Sequence, residues 1–530
     1  MEKVGHNYKR EKPNFKPDVI IIGSGIGALT AAAILAKEAN KRVLILEQHY
    51  TAGGFTHVFK RKDYEWDVGI HYIGEVHNPK SALARICSYV SDGGMKWAEM
   101  PHVYDRIVIA DKVYDFPAGK DNLIAALKGY FPNDHEAIDK YFKIVIEFSK
   151  TVTPYFMEKV LPPVARFFVG NKLKKPFLAY SDKTTKEVLD GITDNAELKA
   201  VLSAQFGDYG LAPAESSFAI HATVAKHYFR GGAYPLGGSS IIAATIEKVI
   251  EKAGGAIYTG ASVNEILIKN NRAYGVKMDD GNVYEAPIII SNAGALITYN
   301  DLIPDSYPKK QSIAKQVNQT EASLSHVSLY IGLKHTAKEL GIHGANYWVY
   351  PNNDYDTTIK EYAKNPDAEL PVAYISFPSA KNPLFEEEYP GKATIEIVSF
   401  APWDWFAQWD GTRWHHRGED YEALKEKITQ RLLEPLYKHV PQVEGKIDFM
   451  ELSTPLSTKH FSRYKQGEIY GLTHTPARFR QDILKPQSPV KGLYLSGQDV
   501  VTVGFGGAMM GGVLAAAAIL KKNVMKNILK

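Results

Sequence analysis

The chain has 530 residues, more than one compact core needs, so two or three lobes are expected. Lysine and arginine total 63 against 59 acids, a formal charge of +4, which over this length gives no basis for a nucleic-acid partner. A single cysteine, Cys87, excludes an intramolecular disulfide and any cysteine-cluster metal site, and it fits a reducing, cytoplasmic compartment.

The first 17 residues carry charges of both signs and lack the apolar core of a signal peptide. Residues Asp18 to Ile22 then read as a short buried strand running into Gly23-Ser24-Gly25-Ile26-Gly27-Ala28. An alanine-rich helix is expected from about Leu29 to Ala39, and a second apolar strand, Val43 to Leu46, ends in Glu47. This is GxGxxA in a βαβ setting, with an acid 24 positions after the first glycine. Gly23 permits the turn, Gly25 lets the backbone approach a pyrophosphate, Ala28 lets helix and strand pack closely, and Ile26 and Gly27 complete this stretch of cofactor-binding residues. The helix N-terminus favours the phosphates, and Glu47 can accept from ribose hydroxyls, which disfavours a 2′-phosphate. The expected ligand is therefore a dinucleotide.

Beyond Glu47 and Gln48 lies Ala52-Gly53-Gly54-Phe55-Thr56. It resembles the glycine pair that FAD-dependent amine oxidases and carotenoid desaturases place against FAD. Those enzymes mostly carry a basic residue where this chain has Phe55, so one phosphate contact is lost or replaced.

Further segments follow in chain order: Asp67 to Gly74, Tyr209-Gly210, His221-Ala222, His227-Tyr228, Gly231 to Pro235 and Gly237 to Ser240. They continue with Ser291-Asn292-Ala293-Gly294, Phe377 to Lys381, Arg417 to Glu422 and Leu493 to Asp499. Together these resemble the all-trans-retinol 13,14-reductase (retinol saturase) family, which sits beside the carotenoid isomerases and phytoene desaturases. The resemblance runs from about residue 18 to 520. It implies an α/β fold: an FAD-binding Rossmann-like domain of the amine oxidase and phytoene desaturase type, interleaved with an α+β substrate domain.

Residues Ala256 to Ile290 alternate like strands around the turn signal Asp279-Asp280-Gly281-Asn282. In flavoproteins of this shape the strand near Val263 offers its backbone to adenine. Asn292 belongs to the same set of cofactor residues. Gly492 to Ser496 reads as a last strand closed by Gly497 and Asp499, the latter expected on an FAD hydroxyl. From Val500 to Leu520 no residue is charged, but Gly504, Gly506, Gly507, Gly511 and Gly512 crowd the first half. A buried helix with a glycine-rich entrance, Gly506 and Gly507 facing the cofactor, is expected instead of a membrane span. The FAD domain is thus expected at 16–76, 231–300 and 485–525, and the substrate lobe at 77–230 and 301–484.

The resemblance implies redox chemistry at carbon–carbon double bonds of a polyunsaturated, retinol- or carotenoid-like lipid. Reduction needs hydride from flavin N5 at one carbon and a proton at the other. Candidate donors are His71, Tyr72, Tyr234, His221 and His227, with His71-Tyr72 first and Tyr234 second. NAD(P)H is a candidate electron source. The alternatives are a redox-neutral carotenoid or fatty-acid isomerase, a desaturase, and a Rab-escort-like isoprenoid-binding protein without turnover. Tyr141-Phe142, Tyr155-Phe156, Phe167-Phe168, Trp403, Trp405, Phe406, Trp409 and Trp414 are candidates for an apolar slot or for core filling. No metal is expected, since His415-His416 reads as a solvated turn. Apolar and basic residues from Val160 to Lys175 also read as a peripheral membrane contact.

Overall fold

The structure is a computed structural model that describes residues 4–530. Strand Val19–Ile22 lies inside a six-stranded sheet ordered His6–Asn7, Ala256–Thr259, Val43–Glu47, Val19–Ile22, Ile289–Ser291, Leu493–Leu495. Every neighbouring pair is parallel. Both faces are covered, which is why its strands read as unbroken apolar runs. Alternate residues serve different cores: Val19, Ile21, Val43 and Ile45 face the helical layer. Ile20, Ile22, Leu44 and Leu46 face the layer shared with the rest of the molecule.

The helical layer contains Ile26–Ala39, Ser240–Lys252 and Gly504–Leu520. The first helix begins earlier than expected, since Gly25 is itself its N-cap. The last spans 17 residues. It meets the first so closely that a Cβ on Gly512 would lie 2.2 Å from the Gly27 carbonyl oxygen. Its glycines are therefore contact surface as well as cavity entrance. Among the described residues, no helix is long and apolar enough to cross a membrane.

On the opposite face lies an antiparallel meander of Val263–Lys269, Arg272–Met278 and Val283–Glu285. The Asp279–Asn282 turn joins its last two strands. A seven-stranded sheet runs Ile447–Ser453, His326–Leu333, Ala393–Phe400, Ala373–Ser376, Asn346–Tyr350, Val103–Ile109, Lys112–Pro117. Its strands come from both segments expected to form the substrate lobe. Helices His135–Glu158, Pro163–Ser181 and Phe218–His227 complete that side.

Candidate active site

A cavity of about 780 Å³ joins the nucleotide fold to the seven-stranded sheet. On the nucleotide side it is lined by Gly23, Ser24, Gly25, Ile26, Gly27, Glu47, Gln48, Gly53, Gly54 and Phe55. Val263, Asn292, Gly497, Asp499, Gly506 and Gly507 line it too. Ala28 does not. It is fully buried in the helical layer, and the close backbone approach in this turn is at Gly27, where a Cβ would stand 2.6 Å from Gly497 Cα.

The cradle is held by a few polar ties. Gly23 has a φ of 87°, a left-handed turn that glycine adopts freely. A Cβ on Gly25 would lie 2.7 Å from Asn292 Nδ2, and one on Gly54 would lie 2.9 Å from Gly25 Cα. Glu47 ends its strand with Oε2 accepting from the Ser24 amide at 2.8 Å and from Ser24 Oγ at 2.7 Å. Its Oε1 accepts from the His49 amide at 2.8 Å. Ser24 Oγ in turn accepts from the Gly53 amide at 2.9 Å. Asp499 accepts from the Ala295 amide at 2.7 Å and the Leu472 amide at 3.2 Å. It therefore braces the turn after Asn292 instead of capping the last helix, whose N-cap is Val503. Phe55 lies in ring contact with Tyr464, centroids 6.4 Å apart. Left-handed glycines, backbone without side chains and an acid at the strand end suit an FAD-sized dinucleotide.

On the sheet side the cavity is lined by His71, Tyr72, Asp208, His227, Tyr228, His326 and Tyr470, with Phe148, Val152 and Ile220. His71 Nδ1 lies 2.9 Å from Glu396 Oε2, which is wholly buried. Burial lowers His71 to about 3 and raises the Glu396 carboxyl to about 8, so near neutrality the proton stays on the carboxyl. Lys381 Nζ reaches the His71 carbonyl at 2.9 Å, Ser376 Oγ at 2.7 Å, and Asn346 Oδ1. Burial brings this amine down to about 7. Tyr72 stacks on Tyr228 with centroids 4.4 Å apart, and its hydroxyl contacts Asp105 and Asp208. His227 Nε2 accepts from the Gly74 amide at 2.8 Å, which removes that nitrogen as a proton donor.

Two expected donors lie away from the cavity lining. His221 is buried with its ring nitrogens 2.9 Å from Tyr141 Oη and 3.3 Å from Tyr209 Oη. Tyr234 is buried and gives its hydroxyl to Asp67. Of the expected aromatic slot, only Trp414 lines the cavity. Tyr141, Phe142, Tyr155 and Phe156 fill helical core, and Phe406 fills the core over the seven-stranded sheet with Trp403, Trp405 and Trp409 packed against it. Phe167 and Phe168 face outward at 84% and 77% exposure. His415 and His416 are exposed, as a solvated turn would be.

Sequence reasoning missed Ser24, Asp208, His326, and the roles of Lys381 and Glu396 around His71. Ser24 occupies a variable position of the glycine motif. Asp208 sits beside Tyr209-Gly210, and Lys381 ends the Phe377–Lys381 segment, so both lay inside or next to segments already singled out.

Residues 21–90 match the family model of an NAD(P)-binding Rossmann-like domain. In fold the chain is similar to cyclohexylamine oxidase from Brevibacterium oxydans IH-35A: TM-score 0.62 and 17% identity, covering 97% of this chain and 100% of that one. In sequence it is 25% identical to the chloroplastic prolycopene isomerase of Arabidopsis thaliana, over 97% of this chain and 85% of that protein. It is 37% identical to the all-trans-retinol 13,14-reductase of Danio rerio, over 96% of this chain and 86% of that protein. With that identity sustained along nearly its whole length, the chain belongs to the all-trans-retinol 13,14-reductase family of oxidoreductases.

Proposed function

We propose that this protein holds FAD in the Gly23–Glu47 cradle and reduces a carbon–carbon double bond of a polyene lipid. The observation that carries the reading is the continuity of one cavity from the Glu47 side to Tyr72, Asp208 and Tyr228. Residues 16–76, 231–300 and 485–525 are assigned to the cofactor domain, and the edge strand His6–Asn7 joins its sheet ahead of them. Gly25, Gly27, Gly54 and Gly497 would let the cofactor approach backbone directly, while Glu47 and Asp499 offer acceptors to its hydroxyls.

Bound there, FAD would supply two-electron hydride chemistry, with NAD(P)H as the proposed source of electrons. The chain's own part is to hold the polyene between Phe148, Val152, Ile220 and Tyr228, exclude water, and present a proton. The redox-neutral isomerase reading is favoured by the likeness to prolycopene isomerase. One experiment separates the readings: reduce the loaded protein anaerobically, add retinol or a carotenoid, and weigh the product. A gain of two hydrogens supports reduction, and unchanged mass with a shifted spectrum supports isomerisation. A protein that cannot be loaded to give flavin absorption at about 450 nm would overturn both and leave lipid binding alone.

The substrate's apolar character also favours a membrane surface as its source. Helix Pro163–Ser181 exposes Val164, Phe167 and Phe168, with Lys172 and Lys175 exposed one turn on. It packs on His135–Glu158, whose Phe148, Ser149, Val152 and Thr153 line the cavity. Apolar rings beside lysines suit an anionic bilayer surface. Flotation with anionic liposomes should carry the protein and lose a Phe167→Ser/Phe168→Ser variant; no flotation of the parent removes this contact.

A further inference from the structure

A wholly buried carboxylate, Asp105, and a half-buried one, Asp208, meet at Tyr72, and they are not equivalent. Tyr72 Oη is 2.9 Å from Asp105 Oδ2 and 3.4 Å from Asp208 Oδ2. A phenol has one proton and cannot serve both. Asp105 has no solvent exposure, and it also accepts from Gln205 Nε2 at 2.8 Å and Asn346 Nδ2 at 2.8 Å. Burial raises Asp105 as well, but these three donors and the nearby Lys381 ammonium act against that and favour its anion, help that Asp208 receives from Tyr72 alone. Tyr72 is the only side chain among the described residues that hydrogen-bonds the Asp208 carboxyl. Two carboxyls this near cannot both ionise out of water, so the shared proton belongs on Asp208. Burial, and next the neighbouring Asp105 charge, hold Asp208 well above the usual carboxylate range. Asp105 faces the strands and Asp208 faces the cavity.

Resting on the proposed function, we propose that Asp208 is the acid that gives the double bond its proton, with Tyr72 and Asp105 as positioning residues. The Asp208 O–H bond breaks and a C–H bond forms at one alkene carbon, using the π electron pair. The other carbon is left electron-deficient, spread along the polyene, and would take the hydride that reduced flavin supplies when bound. The lipid would gain two hydrogens and the flavin would be oxidised by two electrons. The carboxylate left at Asp208 lies beside charged Asp105, which drives it to regain a proton from water. Meanwhile the Tyr72 hydroxyl can turn toward it. His71 is the weaker donor, because an imidazole held neutral beside a protonated Glu396 has no imidazolium proton to give.

Two measurements test this. Infrared spectra of the protein at neutral pH should contain a protonated-carboxyl band that shifts in D2O and is absent from Asp208→Asn. An Asp208→Asn spectrum that keeps every such band overturns the assignment. In anaerobic single turnovers in D2O, the flavin-loaded parent should place deuterium at both new C–H positions, one from the Asp208 carboxyl and one through the exchangeable N5 hydrogen of reduced flavin. Asp208→Asn, with flavin content unchanged, should reoxidise at least about 100-fold more slowly. Tyr72→Phe, an independent variant, should retain the carboxyl band and slow the same step. Parent-like rate and deuteration in Asp208→Asn would sink the Asp208 role alone. A parent whose reduced flavin is not reoxidised by any polyene would instead sink the proposed reaction, with the infrared result still readable.

Discussion

Ser24 Oγ donates to Glu47 Oε2 at 2.7 Å while accepting the Gly53 amide at 2.9 Å, so one hydroxyl joins three separate pieces of the nucleotide cradle. Ser24→Ala leaves the buried Gly53 amide without its partner and Glu47 with one donor fewer. The expected cost is about 1–3 kcal/mol. Thermal unfolding should show the loss, and desalting should strip flavin from the variant faster than from the parent. An unchanged melting temperature with full flavin retention would refute this role for Ser24.

The contact between the first and last helices makes a second prediction. A methyl group at position 512 would drive into the Gly27 carbonyl and the Thr30 side chain. Overpacking of this kind costs about 1–3 kcal/mol, and more when backbone must move. Gly512→Ala should lower the melting temperature and loosen the cofactor, whereas Gly391→Ala, with open space around its Cβ, should leave flavin binding alone. Equal flavin retention in the two variants would show that the helix contact does not shape the cradle.

Acid should unfold the protein early. Burial lowers His49, His57, His227 and His326 to about 4, and His71 and His221 to about 3. The unfolded chain takes up these protons as pH falls below about 6.5, and the folded chain does not until near 4, so stability is lost across that window. Asp67, raised to about 7, and Glu396, raised to about 8, work the other way: their contribution is full below about 4 and lost as pH rises through those values. Burial likewise holds Glu65, Asp105, Asp208, Asp356 and Glu468 up and His439, His460 and His474 down, so nine histidines stand against seven carboxyls in this window. The melting temperature should therefore drop from pH 6.5 to pH 5, and a flat or rising profile would contradict the buried, neutral histidines.

Tyr234 and His221 offer a contrast with Asp208. Both are buried in packed surroundings, Tyr234 on Asp67 and His221 between Tyr141 and Tyr209. Tyr234→Phe and His221→Phe should each cost about 1–3 kcal/mol of stability by stranding a buried partner. Turnover per bound flavin should stay at the parent level. A selective fall in turnover without loss of stability would return either residue to the list of donors.

The Gly23–Glu47 segment was legible because its meaning is local. A strand, a turn, a helix and an acid within 25 consecutive residues carry their geometry in their spacing. The proton-bearing side of the cavity has no such spacing. Asp105, Asn346 and Glu396 come together through strand pairing, such as Asn346 opposite Asp105, in a sheet built from distant segments, and Asp208 reaches them from the short helical turn Ala204–Asp208. Nothing about Asp208 as a letter separates it from a surface aspartate. The aromatic pairs misled for a related reason: Tyr155 and Trp414 satisfy the same composition rule, yet one fills core and the other borders space.

The parallel sheet under the cradle joins segments far apart in sequence: His6–Asn7 forms one edge and Leu493–Leu495 the other. On a ribosome, the Gly23 turn emerges long before Gly497, Asp499 and the helix that packs on Gly27. For all of that interval a nascent chain carries half a nucleotide site and an uncovered apolar sheet, a state that invites chaperone capture. Cofactor supply should then matter most once Leu493–Leu495 and Gly504–Leu520 have been made and can close over it.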